Sequence, residues 1–442
     1  MTHLLALAER SVPRYTSYPT APNLTDAVGA ETYAEWLAAL PEAETLSLYI
    51  HVPYCTHICL YCACRTKAVR RSAPLARYTE QLIGEIAHLR AAVGRRKVVR
   101  LHWGGGTPSI LGEQWLAAIA DSLRAAFDLS EMREHAIELD PRRLSKGLVG
   151  ALAGIGVTRA SLGVQCFSPH VQDAIGRVQP FAQVQRSLDW LREAGIDKIN
   201  LDLMYGLPGQ TTADVARSAE LAAQLSPQRL ALFGYAHVPW FQAYQRLIDE
   251  AQLPGPLQRL EQAQVAADTL MAHGFEAIGL DHFARSEDSL AEAARKGRLH
   301  RNFQGYTDDE AGALIGIGAS AIGKLPQGLA QNAVDVPGYS RAIDANRFAT
   351  ARGIALSADD QLRAHIIERL MCNLVIDLDE VAAGQDFSTE IARLRPLNDE
   401  GLVEIGRRRV AVTERGRPFL RLAAAAFDAY LPANRTRHSI AV

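Results

Sequence analysis

The stretch Cys55-Thr-His-Ile-Cys59-Leu-Tyr-Cys62 places three cysteines in a C-x3-C-x2-C array. It follows the apolar run Leu46–Val52, which is typical of a buried strand. Three thiolates on one short loop can hold three irons of a [4Fe–4S] cluster and leave the fourth iron without a protein ligand. Catalytic metal sites keep such an open position, whereas structural sites are closed. The spacing therefore predicts a reactive iron–sulfur centre at the end of the first strand.

These cysteines could instead form disulfides or bind zinc. The chain has 6 cysteines in 442 residues, and four of them lie between positions 55 and 64 with no secretory segment before them, which argues against disulfides. A zinc site needs a fourth ligand, and both His57 and Cys64 are close enough in sequence. Cys64 stays ambiguous at this point, because as a fourth cluster ligand it would close the open position.

The overall composition is that of an ordinary globular protein. Apolar residues make up 48% and charged residues 22%, and the formal net charge is −2. The whole chain therefore has no electrostatic attraction for nucleic acid or an anionic membrane. No apolar run is long enough for a membrane-spanning helix. The start of the chain lacks the basic segment and apolar core of a secretory signal, so we expect a reducing, cytoplasmic location.

Short apolar runs alternate with longer amphipathic stretches over most of the chain. This alternation predicts βαβ units around a parallel sheet, and six or more such units favour a partial or full TIM-like (β/α) barrel. The predicted strands span 46–52, 98–103, 135–140, 160–164, 198–203 and 229–235, with further candidates at 275–280 and 313–317. The predicted helices span 75–93, 112–127, 144–155, 181–194, 212–225 and 257–273.

The pattern divides the chain into an N-terminal arm over 1–43, a barrel over 44–330 and a C-terminal domain over 331–442. In the last part, predicted helices at 358–374, 388–399 and 417–430 flank a hairpin-like alternation that begins at Gly401 and resembles a winged-helix unit. The three arginines at 407–409 are typical of a solvated turn rather than of DNA binding. We therefore expect a small, mainly helical lid or docking domain.

The unusual residues of the barrel fall just beyond its predicted strands. In a parallel barrel all these strand ends lie on one face, which is where barrel enzymes have their active sites. Each residue alone could belong to a solvated loop, and only the shared face makes the set a candidate site. In strand order the set comprises the cysteine loop, the glycine turn 104–108, Glu138 with Asp140, Gln165, Asp202 with the turn 205–209, and Ala236 with His237.

Some of these residues suggest ligand contacts. The glycine triplet can bring its backbone close to a ligand and turn its amides toward a carboxylate. Glu138 could accept hydrogen bonds from ribose hydroxyls or an ammonium group, or could be a surface carboxylate beside Arg142. Tyr49 and Tyr61 could stack on an adenine ring or simply pack against their neighbours.

Several motifs together resemble one family. The cysteine loop with the glycine triplet one strand later resembles the radical S-adenosylmethionine (SAM) superfamily. Within it, the extra Cys64 and the stretch Pro13-Arg-Tyr-Thr-Ser-Tyr-Pro-Thr resemble the oxygen-independent coproporphyrinogen III oxidases. The other matching stretches are Leu101-His-Trp-Gly-Gly-Gly-Thr-Pro, Gly163-Val-Gln165, Asp202-Leu-Met-Tyr-Gly-Leu-Pro, Tyr235-Ala-His-Val-Pro, Asp281-His-Phe-Ala-Arg and His300-Arg-Asn-Phe-Gln-Gly-Tyr-Thr.

The resemblance implies a radical mechanism. SAM binds the open iron, an electron from the cluster splits it, and the 5′-deoxyadenosyl radical takes a hydrogen from a propionate β-carbon. Loss of CO2 and an electron then leaves a vinyl group, and two such reactions turn coproporphyrinogen III into protoporphyrinogen IX. The implied partners are this porphyrinogen and an electron donor such as flavodoxin or ferredoxin, with no nucleic acid and no membrane span. We expect a monomer.

The resemblance also assigns residues. Cys55, Cys59 and Cys62 are implied as cluster ligands, with Cys64 close to the site but not a ligand. The positions implied around a first SAM are Tyr49, Gly105, Glu138, Ala236 and Ile322. The positions implied around a second SAM are Tyr61, Gly106, Thr107, Gln165, Arg177 and Asp202. Tyr49 and His51 are the candidates for a catalytic role, although a buried strand histidine can be purely structural.

Two positions depart from the family's pattern. Tyr61 stands where a phenylalanine is expected, and Cys166 stands where an acidic residue is expected, which affects only details of the second SAM site. The four carboxylates of the implied substrate require local positive charge at the mouth of the site. The residues we expect to provide it are Arg14, Arg65, Lys67 and Arg70.

Two alternative functions stay open. A haem chaperone of the same superfamily shares the cysteine loop and the glycine motif, but typically lacks the N-terminal arm and the Cys-x-Cys ending that this chain has. A radical SAM enzyme that opens or methylates haem would be distinguished by the mass of its product.

Overall fold

The computed structural model describes residues 2–431 and residue 440. Its main feature is a large twisted sheet with helices packed against it. The strands, in chain order, are β1 (Leu46–Val52), β2 (Tyr54–Cys55), β3 (Lys67–Ala68), β4 (Val98–Gly105), β5 (Glu134–Leu139), β6 (Arg159–Gln165), β7 (Lys198–Tyr205), β8 (Arg229–Gly234), β9 (Phe275–Ile278), β10 (His282–Arg285), β11 (His300–Asn302), β12 (Gly305–Thr307), β13 (Ala313–Ile317), β14 (Ile322–Leu325), β15 (Gly328–Asn332), β16 (Thr350–Ala355), β17 (Val375–Asp377), β18 (Val403–Ile405) and β19 (Arg409–Val412).

Helices connect most of the parallel strands and build the C-terminal part. They are α1 (Thr2–Ala8), α2 (Ala30–Ala38), α3 (Ser72–Val93), α4 (Gly112–Ala126), α5 (Lys146–Gly154), α6 (Pro169–Ala174), α7 (Phe181–Glu193), α8 (Thr212–Gln224), α9 (Pro256–Ala272), α10 (Ser289–Arg295), α11 (Val336–Asp344), α12 (Ala358–Asn373), α13 (Leu378–Val381), α14 (Ser388–Asp399) and α15 (Leu420–Ala425). Within the described residues, none of these helices combines the length and the apolarity needed to cross a membrane.

The large sheet has 12 strands in the order β16-β15-β14-β13-β1-β4-β5-β6-β7-β8-β10-β9. Neighbours from β13 through β8 are parallel, whereas the strands added at both flanks are antiparallel. The order is open, with β16 at one edge and β9 at the other. Of the two forms expected from the sequence, the structure therefore has the partial barrel.

The parallel strands form where the sequence predicts them. The six predicted core strands correspond to β1, β4, β5, β6, β7 and β8, with ends that differ by one or two residues. β1 is buried along almost its whole length, as expected for a parallel strand covered on both faces. The candidate strand at 313–317 is β13, and it pairs with β1 rather than continuing the sheet beyond β8. An antiparallel hairpin of β9 and β10 occupies that position instead.

The N-terminal arm and the C-terminal domain share one apolar core. Leu7, Val12 and Tyr15 of the arm lie in the same buried cluster as Phe419 and Phe427 of the C-terminal domain. The second half of the arm, including α2, packs into the core of the barrel instead. The arm therefore joins the two larger parts of the chain.

The C-terminal domain combines α12 to α15 with a three-stranded antiparallel sheet in the order β17-β19-β18. The helix predicted over 417–430 is wrong in extent, because a 3-10 turn at Arg417–Phe419 precedes α15, which ends at Ala425. The Asp428 carboxylate accepts hydrogen bonds from the backbone N–H groups of Tyr430 and Leu431, so the chain turns there instead of continuing as a helix.

A buried carboxylate joins the end of β13 to the end of β15 and to α11. Glu85 of α3 accepts hydrogen bonds from the Gly318 N–H, the Asn332 amide and the Tyr339 hydroxyl, each at 2.7 Å. Its side chain is 2% exposed. Because the carboxylate is buried, water cannot take its place as the acceptor of these three hydrogen bonds, so Glu85 has a structural role.

Replacing Glu85 should therefore destabilise the fold. In Glu85→Ala the three donors lose their acceptor inside the protein, and we expect the free energy of unfolding to fall by about 3–5 kcal/mol. Urea denaturation measures this change. Glu80→Ala, at an exposed position of the same helix, is the control and should stay within about 0.5 kcal/mol of the parent. Equal effects of the two substitutions would contradict the role given to Glu85.

Candidate active site

The three cysteines lie on a loop that leaves the carboxyl end of β1. Cys55 ends β2, and the loop returns through β3, which pairs with β2 in parallel. Cys59 is buried, Cys55 and Cys62 are half-buried, and Cys64 is exposed. All four line a single cavity of about 610 Å³ at the carboxyl ends of the strands. The cysteine loop therefore forms part of the active-site face.

Hydrogen-bond donors surround the sulfur atoms. The hydroxyls of Thr66 and Thr107 donate to Cys55 Sγ at 3.3 and 3.4 Å, and the Cys64 N–H approaches Cys62 Sγ at 3.4 Å. The interaction with Cys64 lowers the pKa of Cys62 to about 7, and the same contact raises the pKa of Cys64. Burial raises the pKa of Cys55, and the two threonine hydroxyls oppose this. Such donors stabilise negative charge on sulfur and tune iron–sulfur potentials.

Two arginines provide the same support at Cys59. Arg142 and Arg177 approach Cys59 Sγ at 3.5 and 3.4 Å, and Asp140 pairs with them at 2.7 and 3.4 Å. Burial opposes ionisation of Asp140, but Arg177 and Arg142 more than compensate and lower the pKa of its carboxyl. Two cations thus share one carboxylate, which leaves net positive charge facing the sulfur.

The glycine triplet allows the loop and the strand ends to meet. Gly105 has φ 108°, and a Cβ there would lie 2.6 Å from the His51 ring. A Cβ on Gly106 would lie 2.5 Å from the carbonyl oxygen of Tyr54. The Gly105 N–H donates to the Glu138 carboxylate at 3.1 Å. A side chain at Gly105 would clash with His51 of β1, and one at Gly106 would clash with the backbone that leads into the cysteine loop, so both close approaches require this residue type.

Further polar groups lie on β6 and β7. The Asp202 carboxylate accepts hydrogen bonds from Ser161 at 3.1 Å and from Asn200 at 2.8 Å. Burial, followed by the nearby Glu138 carboxylate, raises the pKa of Asp202 to about 6. Gln165 has φ 67°, a left-handed conformation that costs a non-glycine residue of order 1–3 kcal/mol and is found mainly where function requires it.

Most of the site residues expected from the sequence meet in this one cavity. Those that line it are Cys55, Cys59, Tyr61, Cys62, Gly105, Gly106, Thr107, Glu138, Gln165, Arg177, Asp202 and Ala236. Tyr49, His51 and Ile322 are not among its lining residues. The Tyr49 hydroxyl is 2.9 Å from His51 Nδ1, and His51 Nε2 is 3.3 Å from the backbone oxygen of Arg65. This pair therefore lies behind the cysteine loop rather than on the cavity wall.

The cavity also contains residues to which the sequence had assigned no role. Among them are Asp281, Arg301, Phe303 and Gln304. These four lie within the stretches 281–285 and 300–307 that carried part of the family resemblance, so the signal was present but was not assigned to individual side chains. Arg142, considered only as a neighbour of Glu138, is in contact with Cys59 instead.

A second cavity, of about 620 Å³, lies between the β8–β10 flank of the sheet and the C-terminal domain. It shares Arg14, Gly234, Asp281 and Arg301 with the first cavity. Its other charged lining residues are Arg259, Glu414, Arg415, Arg417 and Arg421, and its apolar lining includes Leu232, Ala263, Ala267 and Phe283. Both volumes are typical of small-molecule sites.

The arginines of this second cavity lie close enough to influence one another. Burial lowers the pKa of Arg14, Arg259 and Arg421, the last to about 9, and the positive charge of Arg14 lowers it further at Arg259 and Arg421. The Asp281 carboxylate lies 3.7 Å from Arg301, whose charge lowers the pKa of Asp281 although burial opposes this. A bound anion would relieve this mutual repulsion.

Three of the four cations expected at the substrate mouth, Arg65, Lys67 and Arg70, do not line either cavity. The Lys67 N–H donates to the backbone oxygen of Pro53. This segment therefore lies beside β2, parallel to it, on the outside of the cysteine loop. Of the four, Arg14 lines both cavities.

Comparison with known proteins identifies the family. Residues 49–222 match the model of the radical SAM superfamily, and residues 356–419 match that of the HemN C-terminal domain. An oxygen-independent coproporphyrinogen III oxidase from Bradyrhizobium diazoefficiens is 46% identical over 444 residues, which cover 99% of each chain. The chain belongs to the family of oxygen-independent coproporphyrinogen III oxidases. A relative of the same name from Escherichia coli K12 is 38% identical and covers 97% of this chain and 95% of its own.

A solved structure supports the assignment to the oxygen-independent coproporphyrinogen III oxidases. The coproporphyrinogen III oxidase HemN from Escherichia coli, described as a radical SAM enzyme, matches with a TM-score of 0.89 and 36% identity over 95% of this chain and 100% of its own. The resemblance read from the motifs is therefore confirmed, and so is the expected α/β fold. Membership of this family makes the chain a radical SAM enzyme and implies a [4Fe–4S] cluster and SAM.

The donor set fits the cluster that this oxidase family implies. Three cysteine sulfurs line one wall of a cavity, and threonine and arginine donors support Cys55 and Cys59.

The raised pKa of Asp202 predicts that this residue weakens the fold at neutral pH. Its folded pKa of about 6 lies above its ordinary value of 3.8, so stability falls as pH rises from 3.8 through 6. Asp202→Asn removes the charge and should raise the free energy of unfolding at pH 7.5 by up to about 3 kcal/mol, with little change at pH 4. Denaturant unfolding at the two pH values measures this. Asp197→Asn, at an exposed position before β7, should show no such difference, and an equal gain at both pH values would contradict the prediction.

Proposed function

We propose that this chain converts coproporphyrinogen III to protoporphyrinogen IX by oxidative decarboxylation of two propionate side chains to vinyl groups. The observation that carries the proposal is the junction of the two cavities. One is lined by the cysteines and the polar strand ends, the other by arginines and apolar side chains, and Arg14, Gly234, Asp281 and Arg301 belong to both. A macrocycle with four carboxylates, bound in the second cavity, would extend one of its propionates into the first cavity.

The chemistry requires a radical. The β-carbon of a propionate has no acidic hydrogen, so an acid–base side chain cannot remove one as a proton. When bound, the cluster and SAM would supply a 5′-deoxyadenosyl radical that can remove it as a hydrogen atom. In total each propionate loses one hydrogen atom, one CO2 and one electron and becomes a vinyl group. The contribution of the chain is to position that carbon and to exclude water.

The residues of the first cavity would hold the cofactors. We assign Cys55, Cys59 and Cys62 as cluster ligands and leave Cys64 free; the Cys64 backbone N–H lies 3.4 Å from Cys62 Sγ and supports that sulfur. For a first SAM we retain Gly105, Glu138 and Ala236 on the cavity wall, with Tyr49 and Ile322 behind it. For a second SAM we retain Tyr61, Gly106, Thr107, Gln165, Arg177 and Asp202, which all line the cavity. His51 would act as a positioning residue, because it contacts Tyr49 and the cysteine loop backbone.

The arginines of the second cavity would bind the carboxylates that do not react. A guanidinium binds a carboxylate through two parallel hydrogen bonds, and such charge-assisted bonds are strongest where water is excluded. The Arg14 guanidinium donates to the Gly234 carbonyl oxygen at 2.9 Å, and that of Arg259 donates to the Tyr235 carbonyl oxygen at 2.9 Å. These contacts orient both side chains at the rim of the junction. The apolar lining, including Leu232 and Phe283, suits the porphyrinogen ring.

The arm over 1–43 and the C-terminal domain over 331–442 would together form the lid of this site. The arm contributes Arg14, the C-terminal domain contributes Arg417 and Arg421, and the two parts share one apolar core. All 6 cysteines are free, which fits the proposed cytoplasmic location. We retain the monomer as the proposed state.

Anaerobic turnover tests the proposed reaction. Reconstituted protein with SAM, a reductant and coproporphyrinogen III should release CO2 and form a product whose mass corresponds to loss of two CO2 and two pairs of hydrogens. In Arg14→Ala we expect KM for the porphyrinogen to rise by at least about tenfold, since a charge-assisted carboxylate contact is lost. Arg10→Ala, at an exposed position of the same arm, is the control. Stoichiometric haem binding without CO2 would favour the chaperone instead.

The role of Cys64 can be tested without the substrate. Cys64→Ser should keep the iron content and visible absorbance of the parent, because Cys64 is not a ligand in this assignment. Cys55→Ser should lose the cluster, since only two ligands remain. Loss of iron in Cys64→Ser as complete as in Cys55→Ser would show that the fourth iron has a protein ligand.

A further inference from the structure

We propose that the exposed segment 65–71 and the loop 238–247 form the docking surface of a small acidic one-electron carrier protein that reduces the cluster. We call this pair of segments the basic strap. The inference rests on the proposed iron–sulfur cluster but not on the proposed porphyrinogen substrate. It assigns a function to Arg65, Lys67 and Arg70, the cations that do not line the substrate cavities.

The first segment of the basic strap is bonded directly to a cluster ligand. The Thr66 hydroxyl donates to Cys55 Sγ at 3.3 Å, and the Val69 N–H donates to the Cys55 backbone oxygen at 2.8 Å. Lys67 and Ala68, between them, are exposed. A single layer of residues therefore separates Cys55 from the outside of the molecule.

The second segment is bonded to the rest of the cysteine loop. Gln242 donates to the backbone oxygen of Cys64 at 2.9 Å, and Tyr244 donates to that of Cys62 at 2.7 Å. Gln245, which is fully buried, donates to the backbone oxygen of Tyr61 at 2.9 Å. These contacts hold the loop in a fixed position beside the ligands and provide short bonded routes from the surface to the sulfurs.

The basic strap carries a concentration of unneutralised positive charge. Arg65, Lys67, Arg70 and Arg71 are all exposed, and in the part of the chain that the structure describes none of them has a carboxylate within salt-bridge distance. Arg352 lies close enough that the charge of Arg65, after burial, lowers its pKa. The whole chain has a net charge of −2, so this surface is more positive than the chain as a whole.

Exposed aromatic rings accompany these charges. Trp240 and Phe241 are 48% and 47% exposed, and the Arg65 guanidinium lies 4.2 Å from the centre of the Phe241 ring. Aromatic and arginine side chains together are the residues most enriched at the centres of protein interfaces. The combination indicates a binding surface for a protein rather than a merely solvated loop.

The cluster's chemistry determines which protein this surface fits. In the proposed step the carrier loses one electron and the cluster gains it, with no proton or bond transferred. Electron transfer slows steeply with distance, so the carrier must dock where the ligands lie closest to the surface. Acidic carriers are drawn to a basic patch by long-range attraction, and such complexes are small and short-lived.

The test compares reduction of the cluster by a protein with reduction by a small molecule, in the absence of porphyrinogen. Reconstituted protein is mixed anaerobically with a reduced bacterial flavodoxin or ferredoxin, or with dithionite, and reduction is followed by absorbance and paramagnetic resonance. We expect Lys67→Glu/Arg70→Glu to slow reduction by at least one of the two proteins by about tenfold or more, because steering is lost. Reduction by dithionite should match the parent.

A charge-matched control separates local docking from net charge. Arg95→Glu/Lys198→Glu makes the same change in charge at two exposed positions, one before β4 and one at the start of β7, at the opposite end of the barrel, and should be reduced like the parent. Isothermal titration of the oxidised proteins gives binding as a second readout, independent of turnover. If the strap variant fails to hold a cluster, the proposal is tested on the parent protein by measuring how the rate of its reduction by the carrier depends on salt. Docking on this surface requires that rate to fall as salt is added.

Two results would overturn the docking proposal and leave the proposed reaction intact. The first is that the carrier protein reduces the strap variant as fast as it reduces the parent, or that the strap and control variants lose the same fraction of the parent's reduction rate. The second is a parent rate that does not change with salt. Binding of a single-stranded RNA to the basic strap without binding of either carrier would also count against it.

Discussion

The parallel alignment of the strands from β13 through β8 is the constraint on which the rest of the molecule depends. Parallel strands present all their carboxyl ends at one edge of the sheet. Residues that are far apart in sequence, from Cys55 to Asp281, therefore line one cavity. The antiparallel strands at both flanks extend the sheet without closing it, and the open flank leaves room for the second cavity beneath the C-terminal domain.

Close packing at this edge makes the site specific. The glycine turn lies so close to the His51 ring and to the Tyr54 backbone at the start of the cysteine loop that neither Gly105 nor Gly106 can carry a side chain. Behind it, the Tyr78 hydroxyl donates to the backbone oxygen of His51 and accepts from the Ala319 N–H, each at 2.8 Å. The loop that would hold the cluster is thus supported from two sides by atoms that have little freedom to move.

Electrostatics divides the surface of the site into regions with different roles. Arginines beside Cys59 would stabilise negative charge on its sulfur, and arginines in the second cavity would bind carboxylates. The basic strap outside the cysteine loop would attract an acidic protein. Because the net charge of the chain is only −2, these three positive regions are balanced by acidic residues elsewhere. Composition alone therefore gave no sign of them, as total charge carries no information about position.

The sequence by itself determined the parallel strands, the cysteine loop and the residues that follow each strand, because hydrophobic periodicity and short motifs depend on neighbours along the chain. For the same reason it grouped Arg14 with Arg65, Lys67 and Arg70, which do not line either cavity, and it gave no role to Arg259, Arg301 or Arg421. Only the tertiary structure decided which cations share a cavity. Contacts such as Arg421 with the Val12 backbone join residues that are 409 apart in sequence, and no local pattern records such a distance.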